Sequence, residues 1–312
     1  MTLLVGFLAA APAVAQESQY TAPRTPWGAP DLNGVWSNAT TTPLQRPAEL
    51  ADQAFLTEEE RILRNPDAGV STEERSTYMP TGAYNDFWLE QGELNLRTSL
   101  VIDPPNGQLP TLTGPEQARQ RLLPNSFNPT QQFDSWHDFN AYDRCITRGM
   151  PGAMMPGFYN HNYQIVQTED HVAIVVEMIH DARIIPIDDG GSLDPALKQW
   201  LGDSRGHWDG DTLVIETGNF TSKNTTRGGV MIAGSEHLRT VERLTRVSDN
   251  VIDYEITVND PTVWSAPWTV SVPMSAKSMD DPIYEYACHE GNYALPNILS
   301  GQRAQDAEMA SR

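Results

Sequence analysis

The fold is decided by residues 236–258, which read EHLRTVERLTRVSDNVIDYEITV. Two runs of alternating character flank the turn residues Ser248–Asn250, a pattern that is typical of a β-hairpin. Because successive side chains of a strand point to opposite faces, Tyr254, Ile256 and Val258 share one apolar face. The hairpin therefore predicts an antiparallel sheet with one buried side.

The first run of this hairpin places a carboxylate among apolar side chains. Leu238, Thr240, Glu242 and Leu244 share a face that we expect to point inward. A buried carboxylate either finds a partner or has its pKa raised. Glu242 is therefore predicted to be a member of a structural ion pair, for example with an arginine, or a catalytic acid or base. The structural pair is the favoured alternative.

Further strand-like segments, joined by short turns, lie on both sides of this hairpin. Strands are predicted at residues 98–102, 163–168, 171–179, 183–187, 207–208, 212–217, 268–274 and 283–288, and helices at 58–63, 194–201 and 295–309. Short connections make consecutive strands antiparallel neighbours. The predicted fold is mainly β, an antiparallel up-and-down barrel or strongly curved sheet with a C-terminal helix. Gly34 and Trp36 match the short G-x-W pattern of lipocalin-like barrels, and a β-sandwich is the alternative.

The chain divides into three predicted parts. Residues 1–15 are apolar and end in Ala13-x-Ala15, which is typical of a cleaved signal peptide; a buried helix is the alternative. Residues 16–96 are rich in proline and aromatic side chains and predict an irregular arm that packs on the body. Residues 97–312 form the antiparallel β domain with its C-terminal helix. The protein is thus expected to be exported, to the periplasm or beyond.

The net charge of the chain excludes some classes of binding partner. Lys and Arg number 21 and Asp and Glu 41, so the formal net charge is −20. Such a chain repels nucleic acid and anionic membrane surfaces. No segment after the signal peptide is apolar enough for stable membrane insertion. A small-molecule ligand or substrate is the expected partner, and the oligomeric state stays open.

The chain contains two cysteines, Cys145 and Cys288. In an oxidising compartment an isolated pair usually forms a disulfide. We therefore predict a bridge between them, with two free buried thiols as the alternative.

Four stretches carry a resemblance to a known family. They are RTSLVIDPPNG (97–107), VEMIHDARIIP (176–186), GHWDGDTLV (206–214) and YEYACHEGN (284–292). Together they resemble a family of exported bacterial proteins of unknown function, over nearly all of the mature chain. The resemblance implies export and assigns no catalytic residue.

Polar, titratable residues cluster at the ends of the predicted strands, where barrels often bind ligands. A histidine beside a carboxylate can act as a general base, and an arginine can hold a carboxylate or a developing oxyanion. We therefore predict His180, Arg183 and His207 as the catalytic centre. Residues predicted to bind substrate are Arg97, Glu177, Glu242, Tyr284, His289 and Glu290.

The sequence also contains two short motifs and a set of candidate metal ligands. Gly202-x-Ser204-x-Gly206 matches G-x-S-x-G, but a helix-like segment precedes it and a strand follows, so a polar turn is predicted instead of a nucleophile. Glu177-x-x-His180 would need a helix to form a bundle metal site, and a strand is predicted there. No cofactor is expected, although a mononuclear metal site stays open. Its ligands would come from His180, His207, His237 and His289, with Glu177 or Glu290.

Three functions are compatible with these features. The first is an exported hydrolase or lyase that acts on a small organic molecule. The second is a lipocalin-like carrier of an apolar ligand, and the third is a structural or interaction module of the cell envelope. A barrel interior with His, Arg and Glu favours the enzyme, an apolar interior the carrier, and a large exposed apolar patch the module.

Overall fold

A computed structural model describes residues 20–64, 90, 92–123, 131–157, 159–188, 191–223, 234–278, 280 and 283–312. The predicted signal peptide, residues 1–15, lies outside the described residues. Among the described residues, no helix combines the length and the apolar character that a membrane crossing requires.

Ten strands and three helices form the described structure. The strands are β1 (Gly34–Ser37), β2 (Val101–Asp103), β3 (Asn162–Gln167), β4 (His171–Val176), β5 (Ala182–Pro186), β6 (Asp203–Asp209), β7 (Thr212–Gly218), β8 (Arg239–Ser248), β9 (Val251–Asn259) and β10 (Trp268–Ala276). The helices are α1 (Glu58–Arg64), α2 (Gly114–Gln120) and α3 (Ala294–Ala310).

The strands form one antiparallel sheet that is nearly closed as a barrel, in agreement with the predicted fold. Their order is β5-β4-β3-β1-β10-β9-β8-β7-β6, and β2 pairs with β10 outside this path. The two ends of the path, β5 and β6, meet through one parallel bridge between Ile187 and Gly206. The amide of Asp188 donates to the Gly206 carbonyl there, at 2.9 Å. We call the junction of β5 and β6 the seam.

One barrel strand comes from the arm that was predicted to be irregular. β1 lies between β10 and β3, with Trp36 opposite Ala276 on one side and Tyr163 on the other. The Trp36 indole is buried and donates to the Leu32 carbonyl at 3.0 Å. A four-residue strand whose partners lie more than a hundred positions away leaves no hairpin pattern in the sequence.

The sequence predictions for individual elements fare differently. The predicted helix at 58–63 is confirmed as α1, and it begins with a capping box in which Thr57 and Glu60 exchange hydrogen bonds of 2.8 and 3.2 Å between side chain and backbone. The predicted helix at 194–201 is wrong. That segment runs beside the end of β7 instead, and the Gln199 amide donates to the Asn219 carbonyl at 2.8 Å. The predicted strand at 283–288 is also wrong, since its described residues lie outside the sheet.

The barrel core follows the alternation read from the hairpin. Tyr254, Ile256 and Val258 are all at most 1% exposed, as predicted. Met150 and Met154, from the connection that precedes β3, are buried in the same apolar cluster. Large side chains thus fill the described core.

Candidate functional site

A buried ion pair crosses the barrel interior from β5 to β8. The Arg183 guanidinium donates from Nη1 to Oε1 of Glu242 at 2.8 Å and from Nη2 to Oε2 at 2.5 Å. Both residues are at most 3% exposed. The Tyr254 hydroxyl, whose pKa is raised by burial, donates to the same Oε1 at 2.8 Å. Glu242 therefore points inward and is paired with an arginine, as the sequence predicts.

Two hydroxyl side chains, one on β6 and one on β7, extend this hydrogen-bond network inside the barrel. Arg183 Nη2 lies 3.3 Å from Ser204 Oγ and 3.5 Å from Thr217 Oγ1, and the two hydroxyl oxygens are 2.9 Å apart. The segment around Ser204 was predicted to be a polar turn, and this is wrong, because Ser204 is a buried residue of β6. Neither neighbour of its hydroxyl is a general base. The arrangement therefore does not match that of an activated serine nucleophile.

The third nitrogen of the Arg183 guanidinium, Nε, has no hydrogen-bond partner among the described residues. Leaving a buried N–H unsatisfied costs about 1–3 kcal/mol. Glu242 neutralises the charge of Arg183. The Arg183 guanidinium therefore has one unpaired N–H donor and no excess positive charge.

A cavity of about 330 Å³ opens at the seam, and we call it the seam cavity. It lies where β5 and β6 separate beyond their single bridge. The two strands are not paired there, and the space between them forms the cavity. Its lining combines apolar, aromatic and charged side chains. The lining residues are Ile146, Asp181, Ala182, Arg183, Ile184, Leu193, Gln199, Trp200, Leu201, Gly202, Asp203 and Ser204.

Asp181 places a titratable carboxyl group in this cavity. Its Oδ2 accepts a hydrogen bond of 2.8 Å from the Thr147 hydroxyl. Burial raises the pKa of Asp181 to about 6, against the opposing effects of Thr147, the Arg148 backbone, His180 and Arg183. A carboxyl group that titrates near neutral pH is suited to give and take a proton. The raised pKa and the cavity together mark Asp181 as a candidate acid–base group.

A second cavity, of about 450 Å³, lies next to the seam cavity, and we call it the outer cleft. Leu193 and Asp203 line both. Asp203 is held at this boundary by Arg205, 3.2 Å away, and by the Leu193 amide, which donates at 2.8 Å. The carboxylate of Asp203 is therefore already neutralised.

The three residues predicted as a catalytic centre are not brought together. Arg183 points into the barrel. His207 lies on β6 and is exposed, whereas the residue before it, Gly206, faces inward. His180 is exposed beyond the end of β4, and its Nδ1 lies 3.0 Å from the Tyr286 carbonyl oxygen. Strand parity explains the separation, because odd-numbered residues of β6 face outward while Ser204 and Gly206 face inward.

The residues predicted to bind substrate are also dispersed. Glu242 is part of the buried pair, but Arg97 lies over the Phe55 ring at 5.0 Å, beside the outward-facing Glu255. His289 and Glu290 are exposed. Of the predicted site, Arg183 contacts Glu242 in the buried pair, and Glu177 contacts Tyr284 elsewhere.

Glu177 and Tyr284 meet at a different point. The buried Glu177 carboxylate accepts hydrogen bonds from Asn162 Nδ2 at 2.5 Å and from the Tyr284 amide at 3.0 Å, while the Tyr284 side chain is exposed. Glu177 therefore anchors the segment 283–292 and is not among the residues that line the seam cavity.

A disulfide joins Cys145 to Cys288, as predicted, with Cα atoms 5.7 Å apart. It lies close to the seam cavity, because Ile146 lines the cavity and Thr147 bonds Asp181. The bridge thus fixes the segment 284–292 to the segment that contains Cys145 and Thr147, and Thr147 in turn bonds Asp181.

No group of three or more His, Cys, Asp or Glu side chains suited to a metal ion occurs in the described parts of the chain. The histidines named for a mononuclear site, His180, His207, His237 and His289, do not assemble there. No protein-family model matches this chain, and no curated protein matches its sequence.

Sequence reasoning did not select Asp181 or Trp200 as site residues. A usable signal for Asp181 was its position two residues before Arg183, because such spacing puts both side chains on one face of an extended segment. No sequence signal places Trp200, which reaches the cavity from an irregular connection.

Proposed function

We propose that this protein is an exported enzyme of the hydrolase or lyase class that binds a small organic molecule in the seam cavity. The observation that carries the proposal is a titratable carboxyl group, Asp181, whose pKa is raised to about 6 by burial and which lines a cavity beside Arg183. Acid–base chemistry needs such a titratable group next to a bound substrate.

The two groups have distinct roles in this proposal. Asp181 holds or releases a proton close to neutral pH, and Thr147 keeps its carboxyl oriented. Arg183 has a positioning role, since its ion pair with Glu242, which also accepts from Tyr254, holds the start of β5 and the adjacent Asp181 in place. Groups that are held in position before substrate binds need no reorganisation during the reaction.

Two features support export. The Ala13-x-Ala15 pattern is that of a signal-peptide cleavage site. The Cys145–Cys288 disulfide is of a kind that persists in oxidising compartments such as the periplasm.

A lipocalin-like carrier receives less support from the barrel itself. Such a carrier holds its ligand inside the barrel. Here Trp36, Tyr163 and Trp268 are all at most 2% exposed and occupy the core. The cavity at the seam favours the enzyme, because its polar groups can act on a ligand as well as hold it.

The proposal is tested by incubating a library of small organic molecules with wild-type protein, with Asp181→Asn and with Asp209→Asn. Asp209 is an exposed strand-end residue and provides the matched control. Mass spectrometry should detect the same products with the wild type and Asp209→Asn. The rate with Asp181→Asn should be lower by about 100-fold or more, because an acid–base group is missing. Equal rates for all three proteins would contradict the role of Asp181.

A further inference from the structure

We infer that the molecule bound in the seam cavity is a short, extended peptide segment, which pairs with the free edge of β5 as an additional antiparallel strand. This assignment rests on the proposed function, since it names the class of molecule that the same cavity binds.

The backbone of β5 shows which of its residues bond β4. The Asp181 carbonyl accepts from the Val176 amide, and the Ile187 amide donates to the Asp170 carbonyl, both at 2.8 Å. In an antiparallel pair, residues that bond the neighbouring strand alternate with residues whose N–H and C=O point the other way. The register between the two strands is regular. Odd-numbered residues of β5 therefore bond β4, and even-numbered residues direct their backbone groups towards the seam.

The same parity appears at the single bridge across the seam, where the amide of Asp188 donates to the Gly206 carbonyl. Ala182 and Ile184 have the same orientation at the open part of the seam. Among the described residues, no backbone group across the seam bonds their amides or carbonyls. Both residues line the seam cavity and are exposed, so a bound molecule can reach this edge.

The spacing of these backbone groups fits a peptide. Two N–H donors and two C=O acceptors recur at an interval of two residues, and a strand rises by about 3.3 Å per residue. An extended peptide repeats its own donors and acceptors at that interval. A molecule with one amide or ester group would satisfy only part of the edge. Peptides are commonly bound in this way, with affinity from main-chain hydrogen bonds and specificity from alternate side chains.

The size of the cavity sets how much of the peptide enters. Its volume is about 330 Å³. At roughly 30 Å³ per non-hydrogen atom, the share that one water molecule occupies in the liquid, the cavity holds about ten such atoms, as many as two alanine residues contain. This length matches the step from Ala182 to Ile184. The ends of a longer peptide would extend into solvent.

The walls of the cavity favour apolar side chains on the peptide. Ile146, Trp200 and Leu201 line the same space as the free edge of β5. A strand bound there would direct alternate side chains towards these walls. The net charge of −20 on the chain attracts basic peptides and repels acidic ones. We therefore expect a peptide with apolar residues at the centre and no acidic side chains.

The experiment uses three probes: the peptide acetyl-Lys-Val-Ala-Val-Lys-amide and its two analogues with leucine or phenylalanine in place of both valines. Their dissociation constants are measured by NMR titration with the wild type, Ile184→Pro and Ile184→Ala. Proline at position 184 removes the N–H that faces the seam and removes no hydrogen bond to β4. Ile184→Ala keeps this N–H and is the matched control for loss of the side chain.

We expect at least one peptide to bind the wild type with a dissociation constant below about 1 mM. Its affinity for Ile184→Ala should stay within about threefold of the wild type. Its affinity for Ile184→Pro should fall by about tenfold or more, because a donor is lost and the proline ring lies in its place. Equal affinities for Ile184→Pro and Ile184→Ala would overturn the inference.

Hydrogen exchange on the wild type tests the pairing without any variant. The Ala182 and Ile184 amides should exchange rapidly in the free protein, and saturating peptide should slow both by about tenfold or more. The amide of Gly210, in the turn between β6 and β7, is the control and should not change.

Peptide binding that leaves both amides unprotected would overturn the inference, since the peptide would then be held by its side chains and not as a strand. Failure of all three peptides to bind would also overturn it. The proposed function is tested separately, by the comparison of turnover between the wild type and Asp181→Asn. If Ile184→Pro does not fold, hydrogen exchange on the wild type still decides the inference.

Discussion

The two sides of the barrel differ in how completely their strands are paired. On one side β9 is paired along its length with β8 and with β10. On the other side β5 and β6 share one backbone bridge, between Ile187 and Gly206. A fully paired wall satisfies its own backbone groups and leaves no space between strands. The unpaired seam leaves a cavity, and this is where the candidate acid–base group lies.

The Arg183–Glu242 pair connects these two sides. Arg183 belongs to the seam strand β5 and Glu242 to the fully paired strand β8. The same contact therefore holds the seam in place and determines the charge of its cavity. The stability of the seam is therefore expected to depend on one pair of residues.

The largest expected loss of stability comes from breaking the Arg183–Glu242 ion pair. Glu242→Ala leaves Arg183 charged and buried without a partner, which should lower the free energy of unfolding by about 3–5 kcal/mol. Urea unfolding at pH 7 measures it. Glu216→Ala, on the exposed face of β7, is the control and should stay within about 0.5 kcal/mol of the wild type.

Replacing both partners, as Arg183→Met with Glu242→Leu, should restore most of that stability, because no charge is left buried alone. A loss of less than about 1 kcal/mol in Glu242→Ala would show that the ion pair does not hold the two sides together.

The next largest loss of stability is expected from removing the disulfide that lies beside the seam cavity. Replacing Cys145 and Cys288 by alanine should lower the free energy of unfolding by about 2–4 kcal/mol, because the bridge closes a long loop in the unfolded chain. Thermal melts with and without reductant measure it, and the double variant should not respond to reductant. A wild-type melt that is unchanged by complete reduction would contradict the prediction.

The pH dependence of Asp181 should give a smaller effect. Its pKa is about 6 in the folded protein, above the ordinary value of 3.8, so the folded state binds this proton more tightly. The resulting stabilisation is complete below about pH 4 and is lost as the pH rises through about 6. Asp181→Asn has no carboxyl group at this position, so its stability does not fall in this way as the pH rises. Its stability relative to the wild type should therefore rise by about 1–2 kcal/mol between pH 4 and pH 7.

Urea unfolding of the wild type and Asp181→Asn at several pH values measures this difference, with Asp209→Asn, a change at an exposed strand end, as the control variant. A constant difference between Asp181→Asn and the wild type from pH 4 to pH 7 would mean that the carboxyl at the seam titrates normally.

The smallest effect is expected for His207, which the sequence suggested as catalytic. Its side chain is exposed on the outer face of β6. His207→Ala should change stability by less than about 0.5 kcal/mol and leave turnover of any substrate found in the library unchanged. A tenfold loss of turnover would show that this histidine belongs to the site after all.

The paired side of the barrel was predictable and the seam was not. The alternation in residues 252–258 gives the buried face of β9 directly, and the same reasoning puts Glu242 inside. At the seam, histidine at positions 180 and 207 suggested a site by residue type alone. Their exposure follows from the 3-10 turn after β4 and from the register of β6, neither of which the local pattern reveals.

The sequence by itself determined the succession of antiparallel strands, the inward face of β8 and β9, and the pairing of the two cysteines. These depend on local alternation, on short turns and on the presence of only two thiols. Only the tertiary structure decided that Arg183 reaches Glu242, 59 positions away, that β1 completes the sheet, and that the seam stays open beside Asp181. The physical reason is that alternation tells which face of a strand is buried. Which strands meet, and which side chains they share, depends on contacts between distant parts of the chain.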